Sequence, residues 1–197
     1  MDGYLFSNGT NVRNRLICVC VLLLLWGLGA RPAAVSAADG GLDATFGTAG
    51  IVTTNVDAAG LDDYGHDIVV QSDGKIVVTG YSPTGPDADI VLVRYNSDGS
   101  LDTSFDTDGF ITKDVGVAGG EDRGNGIAVH DDGRIVVGGY TYTGTNEDIV
   151  LLRYDSDGNL DSLFGNNGSV TTNVAGATLN NDRAEGIAIQ DDGMIVA

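Results

Sequence analysis

Cysteine is nearly missing: the 197-residue chain has 2, Cys18 and Cys20, both close to the N terminus. The chain beyond them therefore has no disulfide, no thiol nucleophile and no cysteine zinc site. Cationic side chains are also scarce, with 10 Lys and Arg against 28 Asp and Glu and a net charge of −18. So acidic a chain repels phosphate backbones and anionic membrane surfaces, which argues against nucleic acid as a partner. Proline (3) and tryptophan (1) are rare, and 42% of residues are hydrophobic, which excludes Pro-rich, collagen-like and disordered compositions. One long apolar run exists, Leu16–Gly29. Its 14 residues rise only about 21 Å as a helix, short of the ~30 Å hydrocarbon core of a bilayer.

That run has the setting of an export signal. Arg13 and Arg15 precede it, and Val35-Ser36-Ala37 fits the small-x-small rule of signal peptidase. Residues 1–37 then form a signal peptide and 38–197 the mature chain, secreted or held at the cell surface and not membrane-spanning. The alternative is an uncleaved anchor. No lipobox precedes Cys18 or Cys20. Without its leader the chain has 7 basic and 27 acidic residues, a charge of −20.

What the sequence has in quantity is glycine (30) and repetition. Leu42-Asp43-Ala44-Thr45-Phe46-Gly47 recurs at Leu101 and again at Leu160, 59 residues apart each time. Aligned without gaps, 42–100 and 101–159 share 31 identities in 59 positions, and 160–197 is a third, shorter unit with one inserted residue. Each unit has strand-like runs rich in Val, Ile, Thr and Tyr; in the first they are Ile51–Val56, Asp67–Gln71, Lys75–Tyr81 and Asp89–Tyr95. Ser72-Asp73-Gly74 is too short for a parallel crossover, so it predicts an antiparallel hairpin with Gly74 at positive φ. The continuously apolar IVV and DIVL runs predict strands covered on both faces. No 3.6-residue pattern is sustained between them.

Four antiparallel strands per unit at a fixed period describe an all-β fold of tandem β-propeller blades. The sequence LDxxFGxxGxVxT, then IAVQxDGKIVVxGY, then DIVLxRYNxDGSLD resembles the delta-60 repeat family from about Leu42 to Ala197. That resemblance implies a bacterial secreted or cell-surface repeat protein with propeller-type blades, and it implies no activity. Asp106 stands where the other units have Gly47 and Gly165, which predicts a relaxed turn in the second unit. Propellers have about 4–8 blades, so some 2.6 units read as an incomplete ring and as a fragment of a longer protein. A β-trefoil and an open stack of sheets are the rival folds.

Calcium is the sharpest chemical candidate. Asn96-Ser97-Asp98-Gly99-Ser100-Leu101-Asp102 and Asp155-Ser156-Asp157-Gly158-Asn159-Leu160-Asp161 are acidic turns of the form [DN]-x-D-G-x-x-D. The glycine is misplaced for an EF-hand, however, and a type I turn followed by an Asx cap at Asp102 or Asp161 explains the same residues. Repeated Arg94 and Arg153 predict pairing with a carboxylate of the LD motif, and Phe46, Phe105 and Phe164 predict plugs between blades. His66 and His130 do not recur and read as surface or strand-end residues. No residue is assigned a catalytic, cofactor-binding or metal-binding role. The expected function is a non-enzymatic scaffold or binding module for a protein or carbohydrate, with specificity in the variable segments 57–66, 82–88, 116–125 and 175–185. The alternative is a piece of an extracellular propeller hydrolase or lyase whose catalytic blades lie elsewhere.

Overall fold

In the computed structural model, residues 40–56, 60–83, 87–174 and 180–197 are described. The signal-peptide assignment, 1–37, lies outside them. The first sheet contains β1 (Tyr64–Val70), β2 (Ile76–Pro83), β3 (Ala88–Tyr95) and β4 (Phe110–Lys113). The second contains β5 (Asp122–Val129), β6 (Ile135–Tyr142), β7 (Glu147–Tyr154) and β8 (Ser169–Thr172). Each is antiparallel in sequence order, and a short hairpin of β9 (Ala188–Ile189) and β10 (Ile195–Val196) follows. Among the described residues all ten elements are strands, and no helix there is long and apolar enough to cross a membrane.

The blades are out of phase with the sequence repeat. β4 belongs to the second unit but pairs with β3 of the first, Leu92 opposite Ile111 and Val93 opposite Phe110. β8 of the third unit closes the second sheet in the same way, Leu151 opposite Val170. Each blade therefore takes three strands from one unit and one from the next. This corrects the strand expected at Ile51–Val56. The run makes only a bridge between Thr48 and Ile51, because no described unit precedes it to supply the pairing strand. Its side chains still pack: Val52 and Val56 join Phe46 against Val91, Val93 and Tyr95.

The hairpins match expectation. Val70 pairs with Ile76, Val129 with Ile135, and Gly74, Gly133 and Gly193 have φ of 85°, 87° and 81°. The apolar β3 is buried along all eight residues. Its Ile90 and Leu92 meet the second sheet, while Val91 and Val93 meet the segment around Phe46. β7 alternates buried and half-buried, since one of its faces meets only the small hairpin of the third unit. There the side chain of Ile187 lies where a Cβ on Gly138 would be, beside Leu151.

The turn after the LD motif differs in the second unit, but it does not relax at Asp106, which keeps the left-handed φ of the glycines it replaces. Gly47, Asp106 and Gly165 all have positive φ, of 55°, 47° and 53°. The second left-handed residue, however, is Ala49 or Asn167 in the outer units and Thr107 in the middle one. The Thr48–Ile51 and Asn166–Ser169 backbone pairs are replaced there by a bond from the Phe110 amide to Asp108 Oδ1 (3.3 Å).

Candidate functional site

The repeated Arg, Asp and Phe form one structural cluster per junction. Arg94 Nε donates to Asp102 Oδ2 (2.6 Å), and Arg153 Nε to Asp161 Oδ2 (2.8 Å). Each guanidinium also covers the phenylalanine of the following unit, 4.4 Å from the centroid of Phe105 or Phe164. Phe105 is fully buried and Phe46 nearly so, but Phe164 is half-exposed.

The acidic turns place their carboxylates against internal donors. Asp98 Oδ1 accepts from the Ser100 amide and hydroxyl, which hold its carboxyl below the ordinary value. Asp102 Oδ1 accepts from the Ser104 amide and hydroxyl, and its Oδ2 also meets Lys75 Nζ at 2.6 Å. Burial pushes the Asp102 carboxyl up. Lys75, Ser104 and Arg94 outweigh it and hold the group well below the usual carboxylate range. Asp161 Oδ1 accepts from the Leu163 amide, the first cause of its lowered pKa, and Oδ2 lies 3.6 Å from Arg134. In the second turn Asp155 Oδ1 accepts from the amides of Asp157 and Asn159. Gly99 and Gly158 have φ of 83° and 97°. These are the bonds of an Asx-capped turn. The cations beside Asp102 and Asp161 lie against their Oδ2 oxygens.

A row of non-repeating residues forms instead along the sheets' touching edges. β1, β5 and β9 neighbour one another in successive sheets, whereas β4 and β8 lie at the far edges. The first strands therefore form the inner edge that surrounds the axis in a propeller. β1 and β5 each bulge, between Gly65 and Asp67 and between Gly124 and Gly126, and the unpaired residues are His66 and Asn125. These equivalent positions meet: His66 Nδ1 lies 3.0 Å from Asn125 Oδ1, and Asn125 Nδ2 lies 3.4 Å from Glu185 Oε2, the third equivalent. Asp67 Oδ2 joins the two edges by accepting from the Ile127 amide (2.9 Å).

Beside this row runs a ladder of aromatic and guanidinium groups. Tyr64 stacks on Tyr81 at 4.7 Å, the Arg123 guanidinium covers the Tyr81 ring at 4.1 Å, and that of Arg183 covers Tyr140 at 4.6 Å. Tyr64 keeps 45% of its surface exposed. Sequence reasoning found the variable segments, and 57–66, 116–125 and 175–185 all end at this row. It missed that His66, Asn125 and Glu185 assemble, although they are one alignment column. His130 lies elsewhere, with Nδ1 3.0 Å from Asp132 Oδ1.

One further group brings three carboxylates together. Oxygens of Asp89, Asp114 and Asp122 lie within 4.8 Å of one another. Asp122 is fully buried; its Oδ2 accepts from the Val115 amide at 2.6 Å and the Gly116 amide at 3.5 Å. Burial pushes its carboxyl above the ordinary value, against the pull of the Thr141 hydroxyl and these amides, and the Asp114 charge adds to the rise.

The comparisons agree with this architecture. Two stretches, 71–105 and 130–164, match the family model described as a domain of unknown function (DUF5122) beta-propeller. They begin 59 residues apart and cover the same part of the repeat, from the first hairpin turn to the phenylalanine of the LD motif. No curated protein matches the chain. The offset four-stranded antiparallel sheets, packed face to face in series, together with these two matches make this an all-β chain of propeller-type repeats.

Proposed function

We propose that the chain is an exported, non-enzymatic scaffold or binding module of the bacterial delta-60 repeat class, and that it holds a protein or carbohydrate ligand along the inner edge of its blades. The observation that supports this most is the row of His66, Asn125 and Glu185 beside the Tyr64, Tyr81, Arg123, Tyr140 and Arg183 ladder. Elsewhere the units repeat the groups that build the fold. At this edge His66 and Asn125 replace one another at a bulge that needs neither, and Glu185 takes the same place in the third unit, so side-chain identity there is free to serve recognition. Tyr64 offers an exposed ring to a sugar or peptide group, while the guanidiniums of Arg123 and Arg183 are paired with Glu121 and Glu147 and hold the Tyr81 and Tyr140 rings in place.

The test is a binding screen of the exported chain against polysaccharides and extracellular proteins. Binding that falls at least tenfold in the Arg123→Ala/Arg183→Ala variant, with CD unchanged, supports the reading. Turnover of any polymer or ester that His66→Ala or Glu185→Gln abolishes would make the edge an enzyme site instead. Export has its own test. N-terminal sequencing of the secreted product should begin at Ala38, and an intact Met1 there would reject the signal peptide.

A further inference from the structure

We propose that Asp89, Asp114 and Asp122, at the seam between the first and second sheets, bind a calcium ion. Three features support the site, and it is independent of what the inner edge binds. The first is spacing. Calcium takes oxygen ligands at about 2.3–2.6 Å, so opposite ligands of one shell stand about 4.6–5.2 Å apart. The three carboxylates, within 4.8 Å of one another, fit one such shell. An all-oxygen donor set suits a hard cation and not zinc.

The second feature is unsatisfied polarity. Asp122 Oδ1 and Thr141 Oγ1 are both buried without a hydrogen-bond partner. Asp122 and Thr141 are cross-strand partners in β5 and β6. Among the described residues neither Asp114 nor Asp122 forms a salt bridge with Lys or Arg. A buried carboxyl group beside two others is a place where a cation would relieve both the burial and the like-charge repulsion.

The third feature comes from the repeat itself. One unit later, Asp148 corresponds to Asp89, and its Oδ1 accepts from Asn146 Nδ2 (2.8 Å) and Asn173 Nδ2 (2.9 Å). That junction satisfies its own carboxylate. At the first junction the equivalents of those two asparagines are Asp87 and Asp114. Both amide donors have become acceptors. One unit earlier, Asn55 holds the Asp114 position, and Ser82, the equivalent of Thr141, donates to Asp63 Oδ1 at 2.6 Å. Acceptors replace donors at this seam and at neither neighbour.

The experiment is calorimetric titration of the EDTA-treated full chain with CaCl2. Thermal melts follow in CaCl2, MgCl2 and NaCl at matched ionic strength. We expect saturable 1:1 calcium binding and a calcium-specific rise of several degrees that grows with the logarithm of free metal. Asp114→Asn, which restores the residue found at 55 and 173, should abolish that rise and melt no lower than wild type without metal. Equal responses to all three salts would mean screening alone and overturn the site. So would a calcium gain that survives Asp114→Asn, or one that disappears in Asp98→Ala/Asp157→Ala. The titration of the unsubstituted chain decides binding even if a variant folds poorly.

Discussion

The Gly139→Ala variant is expected to lose about 3 kcal/mol of stability, at the upper end of typical overpacking costs. An added Cβ would lie 1.8 Å from the carbonyl oxygen of Arg123 and 2.9 Å from its carbonyl carbon. Those atoms are backbone, held by the bulge of β5 against β6, so no side chain can swing aside. Relief requires moving β5, which carries Asp122, Arg123 and Asn125. Gly80 meets the same obstacle one unit earlier, 1.7 Å from the carbonyl oxygen of Tyr64. Closeness of backbone explains why the second glycine of Gly138-Gly139 recurs and the first does not. Gly186→Ala is the control, because a Cβ there has nothing within 4 Å. Thermal melts should place Gly139→Ala roughly 6–12 °C below wild type and leave Gly186→Ala within a degree or so. Equal melting of the two variants would remove the bulge argument.

The second large effect is expected at Asp102. Asp102→Ala should cost about 3–5 kcal/mol, because it leaves the Arg94 guanidinium buried without its carboxylate. The Arg94 side chain is only 5% exposed, and it also donates to the backbone oxygen of Ser156, which lies in the next unit. Asp161→Ala deletes the same motif one unit on, where the Arg153 side chain is 20% exposed and water can replace the lost partner. Its cost should be clearly smaller, because solvent screens the more exposed pair. Denaturant unfolding of the two variants measures the difference, and equal losses would show that burial is not what matters.

The same pair sets an acid response. The Asp102 carboxyl lies below its ordinary value of about 3.9 in the folded chain. A depressed carboxyl contributes stability that is complete above its unfolded pKa and lost as pH falls toward the folded one. Wild type should therefore lose stability from about pH 5 downward, and Asp102→Asn should lose visibly less over the same range. Parallel pH profiles for the two proteins would contradict this assignment.

Sequence alone determined what is local or repeated. The Asp-Gly hairpins, the doubly covered β3, the Asx caps at Asp102 and Asp161 and the Arg94–Asp102 pairing all follow from residue type and spacing. A turn needs only its own residues, and a charge recurring beside an apolar run needs a recurring partner. Phase was not legible. A 59-residue period says which residues are equivalent, but it does not say where one sheet stops and the next starts. That depends on whether Phe110–Lys113 pairs within its own unit or with Ala88–Tyr95 of the unit before, a choice made by backbone hydrogen bonds between distant segments. The same limit hid the candidate sites. His66 meets Asn125, and Asn125 meets Glu185, because equivalent positions line up across successive blades. Asp89 of β3, Asp114 just past β4 and Asp122 at the start of β5 meet because one blade and the first strand of the next converge at one seam. Alignment showed asparagine giving way to Asp114, but only the tertiary packing placed that carboxylate beside two buried ones.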